Sequence, residues 1–257
     1  MEIICLASSS AGNAYIIKNS HSTILVEVGL HPRLLRQRMF QHRIIMNQLD
    51  GVFVTHQHGD HAKAAQEFST YTTIYAPKET IKVCNIHGSS FPITQPWEPI
   101  RCVGGRKNGF TVWPFDLDHS NPDGTPCATY GYIVDDLETE ERLLFINDTK
   151  MVKWDFSQYR FDYIMIECNH NEEILLENAD ERAKRTANAH MSLRTTLLTL
   201  SGLNLSKTKA IYLMHLSDGN SNEDLMLESV AKQTGKPVAA CQKDGGVRWY
   251  GERQRLD

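Results

Sequence analysis

Val52-Phe53-Val54-Thr55-His56-Gln57-His58-Gly59-Asp60-His61 runs from a β-branched and aromatic stretch straight into a cluster of three imidazoles and one carboxylate. The apolar half reads as a buried strand, and it stops where the histidines begin. Neutral imidazole nitrogen and carboxylate oxygen suit a borderline divalent ion such as zinc, and no cysteine thiolate competes within the stretch. Side chains alternate along an extended backbone, so His56, His58 and Asp60 converge on one side while His61 reaches in from the following turn. A histidine-rich surface turn is the plain alternative. The position between an apolar strand and a helix-like stretch at 62–68 argues against it. Four ligands this close together are enough to serve two metal ions.

Outward from this stretch the chain alternates strand-like and helix-like segments, the pattern of an α/β fold. Strands are expected at 2–7, 14–17, 23–30, 72–76, 109–115, 130–134, 143–146, 162–167, 209–214 and 237–241. Helices are expected after Pro32, at 62–68, from Pro77 to about 87, and at 172–185, 193–200 and 222–234, with irregular edge structure over 88–109. Three of the later strands lead into ligand-type residues. His119 follows the strand at 109–115 and precedes a Gly/Pro loop, Asp148 follows 143–146, and His215 follows 209–214. A surface role for His119 and an N-cap role for Asp148 are the plain alternatives.

The order Thr55-His56-X-His58-X-Asp60-His61 resembles, residue for residue, the signature of the metallo-β-lactamase superfamily of dinuclear metallohydrolases. That resemblance implies an αββα four-layer sandwich, expected here as a single domain over residues 1–257. It implies His56, His58 and His119 on one ion, Asp60, His61 and His215 on the other, and Asp148 bridging. Two divalent cations are then the cofactor, zinc first and manganese second. A water between them becomes acidic enough to supply hydroxide near neutral pH, so the implied chemistry is hydrolysis by a metal-bridged hydroxide. At the end of the third strand, where the superfamily usually has an Asp that braces a metal-binding histidine, this chain has Glu27, one methylene longer, which leaves its role open.

Three further strings resemble one branch of the superfamily, the YycJ or WalJ type. Leu6-Ala7-Ser8-Ser9-Ser10-Ala11-Gly12-Asn13 is similar to that branch's Leu-Ala-Ser-Gly-Ser-X-Gly-Asn opening, with Ser9 where the pattern has a glycine that tolerates positive φ. Glu167-Cys168-Asn169-His170-Asn171 resembles Glu-Ser-Asn-His-Asp, and His215-Leu216-Ser217-X-X-Asn220 resembles His-Leu-Ser-X-X-Asn. His190, two residues before Ser192, is similar to the histidine that acts in the related RNase Z branch as proton donor to the leaving group. Asp60, His190 and His170 are the catalytic candidates, with helix capping the plain alternative for His190 and a structural role the plain alternative for His170. Cys168 is read as packing.

Composition narrows the class of protein. At 257 residues and 41% hydrophobic content the chain can bury a large core, and its net charge of -4 provides no general basic field. Six scattered cysteines without a Cys-X-X-Cys pair, no apolar run near a membrane span and no signal peptide imply a reducing, cytoplasmic setting. A leaving alkoxide needs a proton more than a leaving carboxylate does, so a spare histidine such as His190 favours phosphodiesters. The YycJ-type resemblance implies exonuclease action on DNA. The expectation is a dinuclear metal-dependent phosphodiesterase, a DNA exonuclease first and a cyclic nucleotide phosphodiesterase second. Carbonyl hydrolysis by a lactonase or thioesterase is the alternative from another class, and an inactive metal-bound scaffold a third. The partners expected are nucleic acid or nucleotide substrates and no membrane, with a homodimer as the assembly considered.

Overall fold

The computed structural model describes residues 1–101, 103–105, 107–177 and 186–252. Cys102 and the second half of the charged stretch expected as helix to 185 lie outside the described residues. One sheet contains, in spatial order, β1 (Glu2–Ala7), β2 (Ala14–Lys18), β3 (Thr23–Val26), β4 (Gly51–Phe53), β5 (Ile74–Pro77) and β6 (Ser90–Ile93). Its first three strands pair antiparallel and the rest parallel. The other sheet contains β7 (Phe110–Ser120), β8 (Pro126–Asp136), β9 (Arg142–Ile146), β10 (Tyr163–Glu167), β11 (Ala210–Met214), β12 (Val238–Cys241) and β13 (Val247–Trp249), again side by side in chain order. Here β9 to β12 are parallel, with antiparallel pairs at both edges.

The period-two alternation of these strands builds the layers. Tyr15, Ile17, Ile24, Val26 and Phe53 from the first sheet meet Phe110, Tyr132, Val134, Phe145 and Met165 from the second in one inter-sheet core. The alternate residues Ile16, Leu25 and Val52 face outward to a core shared with Leu35 and Met39 of α1 (Pro32–Gln41). On the far side Ile164, Ile166, Ile211 and Leu213 pack against Leu200 of α6 (Leu193–Ser201) and Met226 and Val230 of α7 (Glu223–Thr234). Three apolar layers between four structural ones make the αββα sandwich. Each fully buried aliphatic or aromatic side chain contributes about 1.5–3 kcal/mol, so this layering dominates over any single polar contact.

The helices start and stop on local signals. Pro32 occupies the first turn of α1. Asn222 caps α7 by accepting from Leu225 N at 3.1 Å, and Gly235, at φ 64, ends it in the left-handed conformation that favours glycine. Elsewhere α4 (Lys78–Val83) and α5 (Glu172–Glu177) are short.

Three expectations need adjusting. The helix expected at 62–68 is two short pieces, α2 (Gly59–Ala62) and α3 (Ala65–Phe68). Val28, just past β3, accounts for the break: its N–H donates to the His61 carbonyl at 2.8 Å and its carbonyl accepts from Ala64 N at 2.9 Å. The strand expected at 109–115 continues through His119, because β8 pairs with it along its whole length and Asp116 and Asp118 face outward while Leu117 and His119 face in. Within 88–109 lies the edge strand β6, where Pro92 is tolerated at a sheet margin.

Candidate metal centre

The candidate site lies where the parallel strands end, the edge at which open α/β sheets gather ligands. β4 leads into His56, His58, Asp60 and His61, β9 into Asp148, β10 into Glu167 and β11 into His215, while β7 carries His119 one residue from its end. The two sheets are tied here by Tyr132 Oη donating to the Val54 carbonyl at 2.7 Å and Tyr130 N donating to the Thr55 carbonyl at 3.1 Å.

Three four-membered groups share Asp148, with donor atoms within 4.8 Å of one another in each. His56, His58, His119 and Asp148 make the first, Asp60, His61, Asp148 and His215 the second, and Asp148, Glu167, His190 and His215 a third that overlaps the second. In the first, His56 Nε2 and His119 Nε2 lie 2.8 and 3.2 Å from His58 Nδ1, and 3.7 and 3.8 Å from Asp148 Oδ2. In the second, His61 Nε2 lies 3.1 Å from Asp148 Oδ2 and 3.3 Å from Asp60 Oδ2, which is 3.3 Å from His215 Nε2. Four ligands around a zinc ion at its usual bond lengths stand about 3.3–3.4 Å apart, so the first two groups have the spacing of a coordination shell. Asp148 Oδ1 is moreover a buried carboxylate oxygen with no hydrogen-bond partner among the described residues.

The remaining nitrogen of every imidazole in the first two groups faces an oxygen. His56 Nδ1 meets Thr55 Oγ1 at 2.9 Å, His58 Nε2 meets Asn121 Oδ1 at 3.3 Å, and His61 Nδ1 meets Glu27 Oε1 at 3.0 Å. His119 Nδ1 lies 3.2 Å from the Ala189 carbonyl and His215 Nδ1 3.4 Å from Glu167 Oε1. Such contacts fix the tautomer and the ring plane, leaving the inward nitrogen as the donor. Glu27 serves two rings, because its Oε1 also accepts the Thr55 hydroxyl at 2.6 Å. Three of the strand-end residues, Glu27, Asp148 and His215, have φ of 68, 49 and 56, a left-handed backbone that non-glycine residues adopt with strain of about 1–3 kcal/mol each.

Electrostatically the first two groups differ. Burial lowers the pKa of His56 and His119, so both are neutral donors. Burial also opposes charge on His61 and His215, but Asp148, Asp60 and the carboxylates behind them outweigh it and raise both, His215 to about 10. Burial likewise opposes ionisation of Asp60 and Asp148, yet the surrounding imidazoles hold both below the usual carboxylate range.

The described chain also matches a sequence family: a model of the beta-lactamase superfamily domain covers residues 23–216. The chain belongs to the beta-lactamase superfamily. It is a hydrolase of the metallo-β-lactamase fold. The exodeoxyribonuclease YycJ of Bacillus anthracis is 25% identical over 239 residues, 88% of this chain and 86% of that one. The metallo-β-lactamase fold protein YhfI of Bacillus subtilis superposes with a TM-score of 0.69 at 15% identity, covering 96% of this chain and 98% of its own. The short form of human tRNase Z does so with a TM-score of 0.63 at 14% identity, covering 96% and 98%.

In this superfamily member His190 stands at the margin of the cluster. Its Nδ1 is 2.7 Å from Glu167 Oε1 and 3.8 Å from Asp148 Oδ1. Burial lowers its pKa, but Glu167 and Asp148 prevail and raise it. The helix that follows is capped by Ser192, which accepts from Thr195 N at 3.2 Å, so capping does not occupy His190. No helix begins directly after Asp148, where the chain runs in bends and turns to β10, which removes its capping alternative. His170 is buried, its carbonyl accepts from Leu193 N at 2.8 Å, and it falls outside the groups of mutually close donors. Among the described residues its Nδ1 has no hydrogen-bond partner. Cys168 is fully buried and its thiol is pushed up to about 12, in keeping with packing.

Glu167 went unassigned in the sequence. Its Oε2 accepts from Thr149 N at 3.1 Å and Met191 N at 3.2 Å, while Oε1 faces His190 and His215. A carboxylate saturated in this way is a brace for two histidines. The signal was present in Tyr163-Ile164-Met165-Ile166-Glu167, because an acid ending an apolar strand needs buried partners. Among the described residues, no helix is long and apolar enough to cross a membrane.

Proposed function

We propose that the chain is a dinuclear metal-dependent phosphodiesterase acting as an exonuclease on DNA. His56, His58, His119 and Asp148 would hold one divalent cation and Asp60, His61, Asp148 and His215 the other, zinc first and manganese second. When bound, the pair supplies positive charge that polarises a phosphoryl oxygen and acidifies water. Asp60 and Asp148 balance that charge, and the oxygen behind each imidazole keeps the donors aimed.

The observation that carries the choice of phosphodiester is the Glu167–His190 pair. With Nδ1 committed to Glu167 at 2.7 Å, the protonated ring has its other N–H, on Nε2, to give. Glu167 and Asp148 raise its pKa against burial, which favours the protonated ring that a departing alkoxide requires. Action on DNA is supported by the similarity to the YycJ exodeoxyribonuclease. His170, three residues after Glu167 in the chain, is proposed to orient substrate. The five free cysteines among the described residues suit a reducing cytoplasm.

The test is a substrate panel of end-labelled linear DNA, RNA, cyclic nucleotides and a lactone, with added zinc or manganese and an Asp60→Ala control. DNA should shorten from its ends, and His190→Ala should lower kcat by about 100-fold or more with metal content unchanged. Lactone cleavage without phosphodiester turnover would overturn the reading.

A further inference from the structure

The turn from Ser8 to Asn13 has no part in that chemistry, yet it touches both sheets at the second ligand group. Ser8, Asn13 and Tyr15 are all buried, Tyr15 completely. The His215 backbone N–H donates to Ser8 Oγ at 2.8 Å. Tyr15 Oη lies 2.7 Å from Ser8 Oγ and 3.1 Å from Asn13 Oδ1. At the far end the Asn13 amide donates to the Ser9 carbonyl at 3.0 Å and to the Asp60 carbonyl at 3.3 Å, and stands 3.4 Å from His61 Nε2. Asn13 N donates to the same Asp60 carbonyl at 2.8 Å.

Counting hydrogens orients this chain. Tyr15 has one hydroxyl hydrogen and faces two oxygens, of which Asn13 Oδ1 can only accept whereas Ser8 can also donate. All groups are satisfied when His215 N–H gives to Ser8, Ser8 gives to Tyr15 and Tyr15 gives to Asn13. The amide of Asn13 then has one orientation, its NH2 toward Asp60 and His61. Burial pushes the Tyr15 phenol well above its ordinary value, so the middle hydrogen stays in place.

We infer that Ser8, Tyr15 and Asn13 are positioning residues: their buried relay keeps His215, from one sheet, in register with Asp60 and His61, from the other. The inference rests on the dinuclear reading above. It gives the YycJ-like opening string a task at the metal centre, and it explains how His215 is restrained at φ 56 on a residue that is not glycine. Ser9, which replaces the pattern's glycine, has no positive φ, so the departure leaves the relay intact.

The test uses full-length protein stripped with a chelator and titrated with Zn2+ against a chromophoric competitor, alongside the melting temperature of the stripped protein. Tyr15→Phe keeps the ring against Phe145, 5.5 Å away between centroids, and removes only the hydroxyl. Wild type should take up two equivalents. In Tyr15→Phe one dissociation constant should rise about 10-fold while the other stays. Ser8→Ala should weaken the same step, and the double variant should weaken it by less than the product of the single effects, since both break one chain. Wild-type constants at both steps in both variants would overturn the inference. Equal weakening of both steps with a lowered melting temperature would also overturn it, as the mark of an ordinary core hydrogen bond. A wild type that takes up no metal would overturn the dinuclear reading and this inference together.

Discussion

Glu27 is a single buried acid on which both ligand groups lean. Its Oε1 faces His61 directly and reaches His56 through the Thr55 hydroxyl, so its loss is felt on both sides of Asp148. Glu27→Gln keeps the shape, but the oxygen that accepts from Thr55 Oγ1 and His61 Nδ1 becomes neutral and an NH2 replaces Oε2, the acceptor of the Thr55 backbone N–H. Metal affinity should fall by about 10–100-fold at both uptake steps, read by competitive titration. That outcome differs from the one-step loss expected of Tyr15→Phe, and unchanged constants would show that Glu27 braces nothing. Glu27 was legible as an acid at a strand end. Its double role was not, because Thr55 and His61 meet it only after β3 and β4 pair.

At the scale of elements, the ends of strands matter more than their middles. Gly29, two residues after Glu27, shows how tightly the end of β3 is pressed on the histidine loop: a Cβ there would sit 1.6 Å from the Asp60 carbonyl oxygen, which is backbone and cannot rotate away. Gly29→Ala should therefore destabilise the fold by roughly 3 kcal/mol, seen as a lower denaturant midpoint at unchanged slope. The strand leading into His56 could be read from sequence because a run of apolar residues is a local signal. The full length of β7 could not. Asp116 and Asp118 look like loop residues until β8 pairs with them, and only then does their alternation with Leu117 and His119 read as a strand face. The break between α2 and α3 was equally hidden, since it depends on Val28, distant in the chain. The approach of Ser8 to His215, 207 residues away, is the extreme case.

For the whole molecule, the two edges of the sandwich respond to different conditions. At the amino ends of the parallel strands Glu141 hydrogen-bonds Lys209, which also pairs with Asp162 at 3.2 Å. Burial alone would raise the Glu141 pKa, but the Lys209 bond leads the opposing contacts and holds it at about 2. A carboxylate depressed in the folded state stabilises it above the unfolded pKa, and that contribution is lost as pH falls from about 4.5 toward about 2. Glu141→Gln should flatten this acid limb in denaturant midpoints measured against pH. High salt should shrink it in the wild type, since Lys209 is half exposed.

The opposite edge has another consequence, in time. Asp60 and His215, 155 residues apart, face each other only once the two sheets have stacked. Ions held between them would bind after the barrier to folding has been crossed, and must leave before it is crossed in reverse. Zinc should therefore leave the refolding rate nearly unchanged and slow unfolding, a split visible as a displaced unfolding arm in stopped-flow kinetics. The centre would thus act as a latch on how long the native state lasts, independently of how fast it forms.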